Sequence, residues 1–152
     1  MAVQVGQAAP DFSLPKADGT TFRLQDALQE RAVVLYFYPK DDTPGCTAEA
    51  CSFRDAYQDF KDAGAEVVGV SSDSGKRHQA FASKHRLPFT LLSDTGGELR
   101  KTYGVPKTLG LIPGRVTYVI DRSGTVRHVF NSQLNATKHV SEALASLKSA
   151  GG

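Results

Sequence analysis

Apolar and polar positions along this chain follow two periods, and the period changes at clusters of turn residues. Asp11–Pro15 and Thr20–Leu24 flank Ala17-Asp-Gly19 and read as two short strands joined in a hairpin. Gln25–Glu30 has room for a helical turn. Ala32–Tyr38 is an unbroken apolar, β-branched and aromatic run, the pattern of a buried strand. Beyond it Phe53, Tyr57 and Phe60 recur at i, i+4 and i+7, which predicts a helix from Cys46 ending at Gly64. Glu66–Ser71 reads as a second buried strand. Ser74 is placed to cap a helix through about His85, with Phe81 on its inner face, and Pro88 closes that segment. Phe89–Leu92 is a third short strand, Gly96–Tyr103 a short helical piece, and Gly104–Gly114 an irregular loop. Val116–Asp121 and Thr125–Phe130 form the arms of a second hairpin about Arg122–Gly124. Val140, Leu144 and Leu147 mark the inner face of a last helix, capped by Asn135 or Thr137.

The order β-α-β-α-β, a short helix, a hairpin and a final helix predicts an α/β fold. Parallel right-handed crossovers come first and an antiparallel pair comes last. That is the outline of a thioredoxin-like fold, a central mixed sheet flanked by helices with an N-terminal β-hairpin extension. With 152 residues and no linker or repeat, the chain reads as one domain over 1–152.

Composition narrows the function. Hydrophobic residues make up 40% and charged residues 22%, values of a folded globular protein. Eighteen basic and sixteen acidic residues leave a charge of +2 with no basic block, which argues against nucleic acid and anionic membranes as partners. The N-terminus lacks a charged stretch leading into a long apolar run, and no segment reaches the ~18 apolar residues of a membrane span. The expectation is a cytoplasmic protein. In that compartment two cysteines are reduced between events, so they point to chemistry ahead of a structural staple.

Both cysteines fall within Pro39-Lys-Asp-Asp-Thr-Pro-Gly-Cys-Thr-Ala-Glu-Ala-Cys51, directly after the strand 32–38. Pro44 and Gly45 mark a turn, so Cys46 is offered where a loop enters a helix. The partial positive charge there favours thiolate over thiol. Cys46 is therefore read as a nucleophile and Cys51 as its resolving partner. Thr43 carries a hydroxyl that can donate to the sulfur or to a bound oxygen. Arg115 stands at the mouth of the strand 116–121; if that strand lies beside 32–38, its guanidinium reaches the same rim. The cysteines are five positions apart, about 140° around a helix with a rise of about 7.5 Å. Their Cα atoms are then roughly 8–9 Å apart, beyond the ~7 Å limit of a disulfide. A bridge requires the start of the helix to unwind. The four histidines at 78, 85, 128 and 139 lack metal-ligand spacing, and no cofactor is expected.

Tyr36–Cys51 closely resembles the active-site segment of peroxiredoxins, and in particular the peroxiredoxin Q group, also called bacterioferritin comigratory protein. The likeness extends to Ala9–Phe12, Phe53–Asp55, Leu87–Asp94 and Pro113–Asp121, with Pro39, Thr43 and Cys46 in the pattern Pro-x-x-x-Thr-x-x-Cys. The resemblance implies a thiol peroxidase acting on hydrogen peroxide and organic hydroperoxides. In it Cys46 becomes a sulfenic acid and Cys51 condenses with that sulfur. A thioredoxin-type dithiol then reduces the bridge. It further implies that Pro39 packs over the sulfur, that Thr43, Arg115 and helix-start amides hold the peroxide oxygens, and that Glu49 orients the arginine. Relatives of this group are often monomers, and a monomer is expected. Two other readings fit a helix-start thiol: a thiol–disulfide oxidoreductase of the thioredoxin kind, and a redox-responsive binding module whose helix unwinds on oxidation. The first calls for Cys-x-x-Cys, where this chain has four intervening residues.

Overall fold

In the computed structural model, which describes residues 3–105, 107–108, 112–132, 135 and 137–149, the chain opens with an antiparallel pair. Its strands are β1 (Ser13–Pro15) and β2 (Thr21–Arg23), joined through a turn where Gly19 has φ of 88°. A short helix α1 (Leu24–Leu28) leads to β3 (Ala32–Phe37). Helices α2 (Pro44–Asp55) and α3 (Tyr57–Asp62) cross to β4 (Ala65–Ser71), and α4 (Gly75–His85) crosses to β5 (Thr90–Ser93). After α5 (Glu98–Tyr103) come the short strands β6 (Lys107–Thr108) and β7 (Ile112–Pro113), then β8 (Val116–Ile120), β9 (Val126–Asn131) and α6 (Lys138–Ser149).

The central sheet has the order β5-β4-β3-β8-β9; β3, β4 and β5 run parallel, while β8 and β9 are antiparallel to their neighbours. This is the thioredoxin-like mixed sheet expected from the order of elements. Successive β3 side chains enter different cores, as the strand period of two requires. Val33, Leu35 and Phe37 meet Leu24, Leu28 and Tyr103, whereas Val34 and Tyr36 meet Phe53, Phe60 and Phe81. Helices on both faces explain why this strand is apolar at every position.

One local expectation holds and two are refined. Ser74 does cap α4, accepting from the Arg77 N–H at 3.3 Å. The helix expected from Cys46 to Gly64 is interrupted at Ala56 (φ −96°, ψ 4°). On a straight helix seven residues rise about 10 Å, yet the Phe53 and Phe60 rings lie 5.6 Å apart, both fully buried. The break lets both rings share one core. Within 104–114, the described residues Lys107–Thr108 and Ile112–Pro113 pair as a small antiparallel ladder instead of an irregular loop. Residues 106 and 109–111 of that loop lie outside the described set.

Antiparallel pairing of β3 with β8 sets Phe37 opposite Val116. The end of β3, from which the cysteine-bearing loop departs, is therefore beside the start of β8. That adjacency builds the site.

Candidate active site

The loop leaving β3 reaches α2 through Thr43, which is extended (φ −94°, ψ 154°) and sits at the N-cap. Proline suits the first helical position, since it has no N–H to leave unpaired and its φ is preset. The first backbone bond of the helix runs from the Thr47 N–H to the Thr43 carbonyl at 2.8 Å. The amides of Gly45 and Cys46 precede that bond, so they are donors without an intrahelical acceptor. Cys46 is the third helical residue and is 1% exposed.

Arg115 projects from the residue before β8 into the same place. Its Nη2–H donates to Cys46 Sγ at 3.4 Å and its Nη1–H donates to Glu49 Oε1 at 2.6 Å. Glu49 lies one turn along α2 from Cys46, on the same face of the helix, and is fully buried. A Cβ at Gly45 would stand 3.1 Å from Arg115 Nη2, so glycine is what lets the guanidinium come this close. Burial pushes the Glu49 carboxyl up to about 8, against the downward pull of Arg115. Burial works against the charge on Arg115, but Glu49 and Cys46 together hold it above its ordinary value. The arrangement is a buried cation shared between a carboxyl and a sulfur.

The remaining expected residues fall around this core. The Thr43 hydroxyl donates to the Lys40 carbonyl at 2.9 Å, which commits its proton to the loop and not to the sulfur. Pro39 is half-buried in the same loop. Cys51 is half-buried on α2, and both cysteines are free thiols on one continuous helix, the reduced geometry expected from their spacing.

Two neighbours escaped the sequence reading. Glu49 Oε2, which has no hydrogen-bond partner among the described residues, lies 3.7 Å from His139 Nδ1 on α6. His139 Nε2–H donates to the Ser132 carbonyl at 2.7 Å, so Nδ1 of the neutral ring accepts from the Thr117 hydroxyl at 2.8 Å. Burial drives His139 down to about 4, with the Ser132 carbonyl pulling up and Arg115 pushing down. Thr117 could have been inferred, since it is two residues from Arg115 and shares its face of the strand. His139 carries no such signal, because its place depends on how α6 returns to the sheet.

A helix-start cysteine held by a buried arginine, at the ends of the interior strands β3 and β8 of a thioredoxin-like sheet, is an arrangement suited to an enzyme that works through a thiol. The chain belongs to the AhpC/TSA family, whose family model matches residues 5–129. It is 53% identical over 148 residues to the peroxiredoxin Q of Populus jackii, covering 97% of this chain and 69% of that protein. Its fold matches the crystal structure of peroxidoxin BcpB from Mycobacterium tuberculosis with a TM-score of 0.90 at 39% identity, over 97% of each chain. It also matches the bacterioferritin comigratory protein of Xanthomonas campestris, studied for its alkyl peroxide reduction activity, with a TM-score of 0.84 at 33% identity over 93% and 92% of the two chains. The chain is accordingly a thiol peroxidase that reduces peroxides through a cysteine, which sets aside the thioredoxin-type oxidoreductase and the sensor module.

One expectation is overturned. The Populus jackii protein and further plant relatives at 50–53% identity are named chloroplastic, which contradicts a cytoplasmic location. Balanced charge and the lack of an apolar span suit any aqueous compartment, so neither carries an address. Among the described residues no helix is long and apolar enough to cross a membrane.

Proposed function

We propose that Cys46 is the peroxidatic nucleophile and Cys51 its resolving partner. The observation that carries this reading is the 3.4 Å hydrogen bond from buried Arg115 to Cys46 Sγ at the start of α2. The Cys46 thiolate attacks the nearer oxygen of a hydroperoxide; an S–O bond forms and the O–O bond breaks. The distal oxygen leaves with the electron pair and takes a proton, giving water from hydrogen peroxide or an alcohol from an alkyl hydroperoxide. Arg115 and the amides of Gly45 and Cys46 face the charge that shifts along the O–O bond. The Thr43 hydroxyl, already donating to Lys40, acts as an acceptor for the O–H of the peroxide. Glu49 holds the second arm of Arg115, which fixes the guanidinium, and half-buried Pro39 shields the site from one side.

In the second half of the cycle the Cys51 thiolate attacks the sulfenic sulfur, forming a Cys46–Cys51 disulfide and expelling hydroxide, which takes a proton and leaves as water. On an intact helix that bond is out of reach, so the first turns of α2 open. A thioredoxin-type dithiol then reduces the bridge by exchange. The alkyl peroxide activity of the Xanthomonas campestris relative supports organic hydroperoxides as substrates beside hydrogen peroxide. We take the active unit to be a monomer of one domain, consistent with Val5 as the exposed large hydrophobic among the described residues.

Intact mass after one equivalent of peroxide tests the assignment. Wild type should lose two hydrogens with no added protein mass. Cys51→Ser should gain one oxygen, and Cys46→Ser should gain none in the same time. Oxidation of Cys46→Ser at the wild-type rate would transfer the nucleophile to Cys51 and sink the assignment.

A further inference from the structure

The loop before the catalytic helix is tied down by groups that the peroxidase cycle does not use. Asp41, 3% exposed, sits at its centre. Asp41 Oδ2 lies 2.6 Å from His78 Nδ1, and Oδ1 accepts from the Tyr38 hydroxyl at 2.5 Å. The Asp41 N–H donates to Asp73 Oδ2 at 2.7 Å, an oxygen that also accepts from the Ser71 hydroxyl at 2.7 Å. His78 is fully buried on α4, and its Nε2 lies 2.9 Å from the Leu92 carbonyl of β5. A carbonyl only accepts, so Nε2 carries a hydrogen, and one further proton is shared between Nδ1 and Asp41. The loop is thus held through α4, the end of β3 and the turn after β4. Arg100 adds a fourth hold, donating from Nη2 to the Tyr38 carbonyl at 3.0 Å.

The helix side of the same junction is built differently. Thr43 makes no side-chain cap bond, and Pro44 and Gly45 are exposed. Asp42, between the two sides, is a non-glycine residue at φ 62°. Such a backbone is sparsely populated and persists where its surroundings impose it. A pinned loop therefore meets, at residues 42–43, a helix start whose side-chain ties are the Thr43 bond to Lys40 and the Arg115 contact to Cys46.

We propose that His78 is a positioning residue: by pinning Asp41 it sets where Cys46 stands at the start of α2 and makes Thr43 the point from which the helix opens. The proposal rests on the reading of Cys46 as nucleophile. Without the pin the loop drifts, and misplacement by an ångström costs up to about a hundredfold in a positioned reaction. Opening of α2, by contrast, loses nothing from a slack loop. The two half-reactions should then separate.

The test measures the two steps by stopped flow and, without peroxide, hydrogen exchange at the amides of residues 41–47. In His78→Leu the sulfenic acid should form at least about tenfold more slowly, measured in the Cys51→Ser background, whereas disulfide formation with Cys51 present should be as fast as wild type or faster. Exchange at Asp41 should rise. His78→Asn, which returns an N–H donor near Nδ1, should recover most of the peroxide step; a purely structural role would slow both steps or neither. If the unpaired Asp41 keeps His78→Leu from folding, the double variant His78→Leu with Asp41→Asn removes the charge with its partner and carries the same expectations. A folded variant with wild-type exchange at 41–47 and an unchanged peroxide step overturns the proposal. Absence of the peroxide step in wild type instead sinks the reading of Cys46, and the exchange result alone then decides whether the pin exists.

Discussion

Replacing Arg115 by glutamine removes the cation shared by Cys46 and Glu49. The hydrogen bond to sulfur is charge-assisted, and such bonds contribute about 1.5–3 kcal/mol. Loss of that amount from the transition state slows a reaction about 10- to 150-fold. The geometry also predicts what the other end of the pair does. Glu49→Gln keeps an oxygen that accepts from Nη1 and removes a carboxyl that competes with the sulfur for the guanidinium. Reaction of Cys46 with a small alkylating reagent at neutral pH, in the Cys51→Ser background, should therefore fall steeply in Arg115→Gln and hold or rise in Glu49→Gln. Reaction with peroxide should fall in both, less in Glu49→Gln, whose neutral amide holds the guanidinium in its turned position more weakly than a carboxyl does. Arg115→Lys should lie between, because an ammonium is a point charge without the planar fork that spans both partners. Arg115→Gln within roughly twofold of wild type, or Glu49→Gln slowed equally in alkylation, would refute a sulfur held by this guanidinium.

Opening of α2 in the oxidised form should appear as a loss of about one to two helical turns in far-ultraviolet circular dichroism, recovered on reduction; an unchanged spectrum for the disulfide form would contradict the unwinding. Stability should depend on pH through two buried groups of opposite sign. Glu49, raised to about 8, contributes stability fully present below its unfolded value of 4.5 and lost as pH rises to about 8. Over that window the loss is up to about 1.4 kcal/mol per pH unit, and a Glu49→Gln protein should lose less stability between pH 4.5 and about 8 in urea titrations. His139, lowered to about 4, contributes stability present above 6.5 and lost as pH falls towards 4, so His139→Gln should flatten the acid limb of the same titrations. Thr43→Val should lose the bond to the Lys40 carbonyl and melt about 2–4 °C lower, with Thr43→Ser unaffected in calorimetry.

Much of this could be read along the chain because the relevant forces are local. Residues 32–38 are apolar at every position, and only a strand covered on both faces tolerates that. Pro44-Gly45 reads as the turn from which a helix starts near Cys46, and the structure takes both residues into the first turn of α2, where the missing N–H of proline leaves no bond unmade. The five-residue spacing of the cysteines alone implied that their bridge and an intact helix exclude one another. The break at Ala56 was not visible, since the i, i+4, i+7 pattern persists through it, and it accompanies a Phe53–Phe60 ring contact at 5.6 Å that no local pattern announces.

Other features depend on distant segments meeting. Arg115 is 69 positions from Cys46, and only the antiparallel register of β8 on β3 delivers it to the sulfur. His139 reaches Glu49 and the Thr117 hydroxyl of β8 because α6 folds back over the sheet, and His78 reaches Asp41 because α4 packs beneath the loop. A lone histidine in a sequence has no partner to reveal it, and neither histidine here belongs to a motif. Local patterning therefore pointed to the thiol read as the nucleophile, to its helix and to the exclusion between a Cys46–Cys51 bridge and an intact helix. The arginine's aim, the raised carboxyl beside it and the anchor of the loop came from strand register and helix packing, where each polar group first acquires a partner and a dry environment.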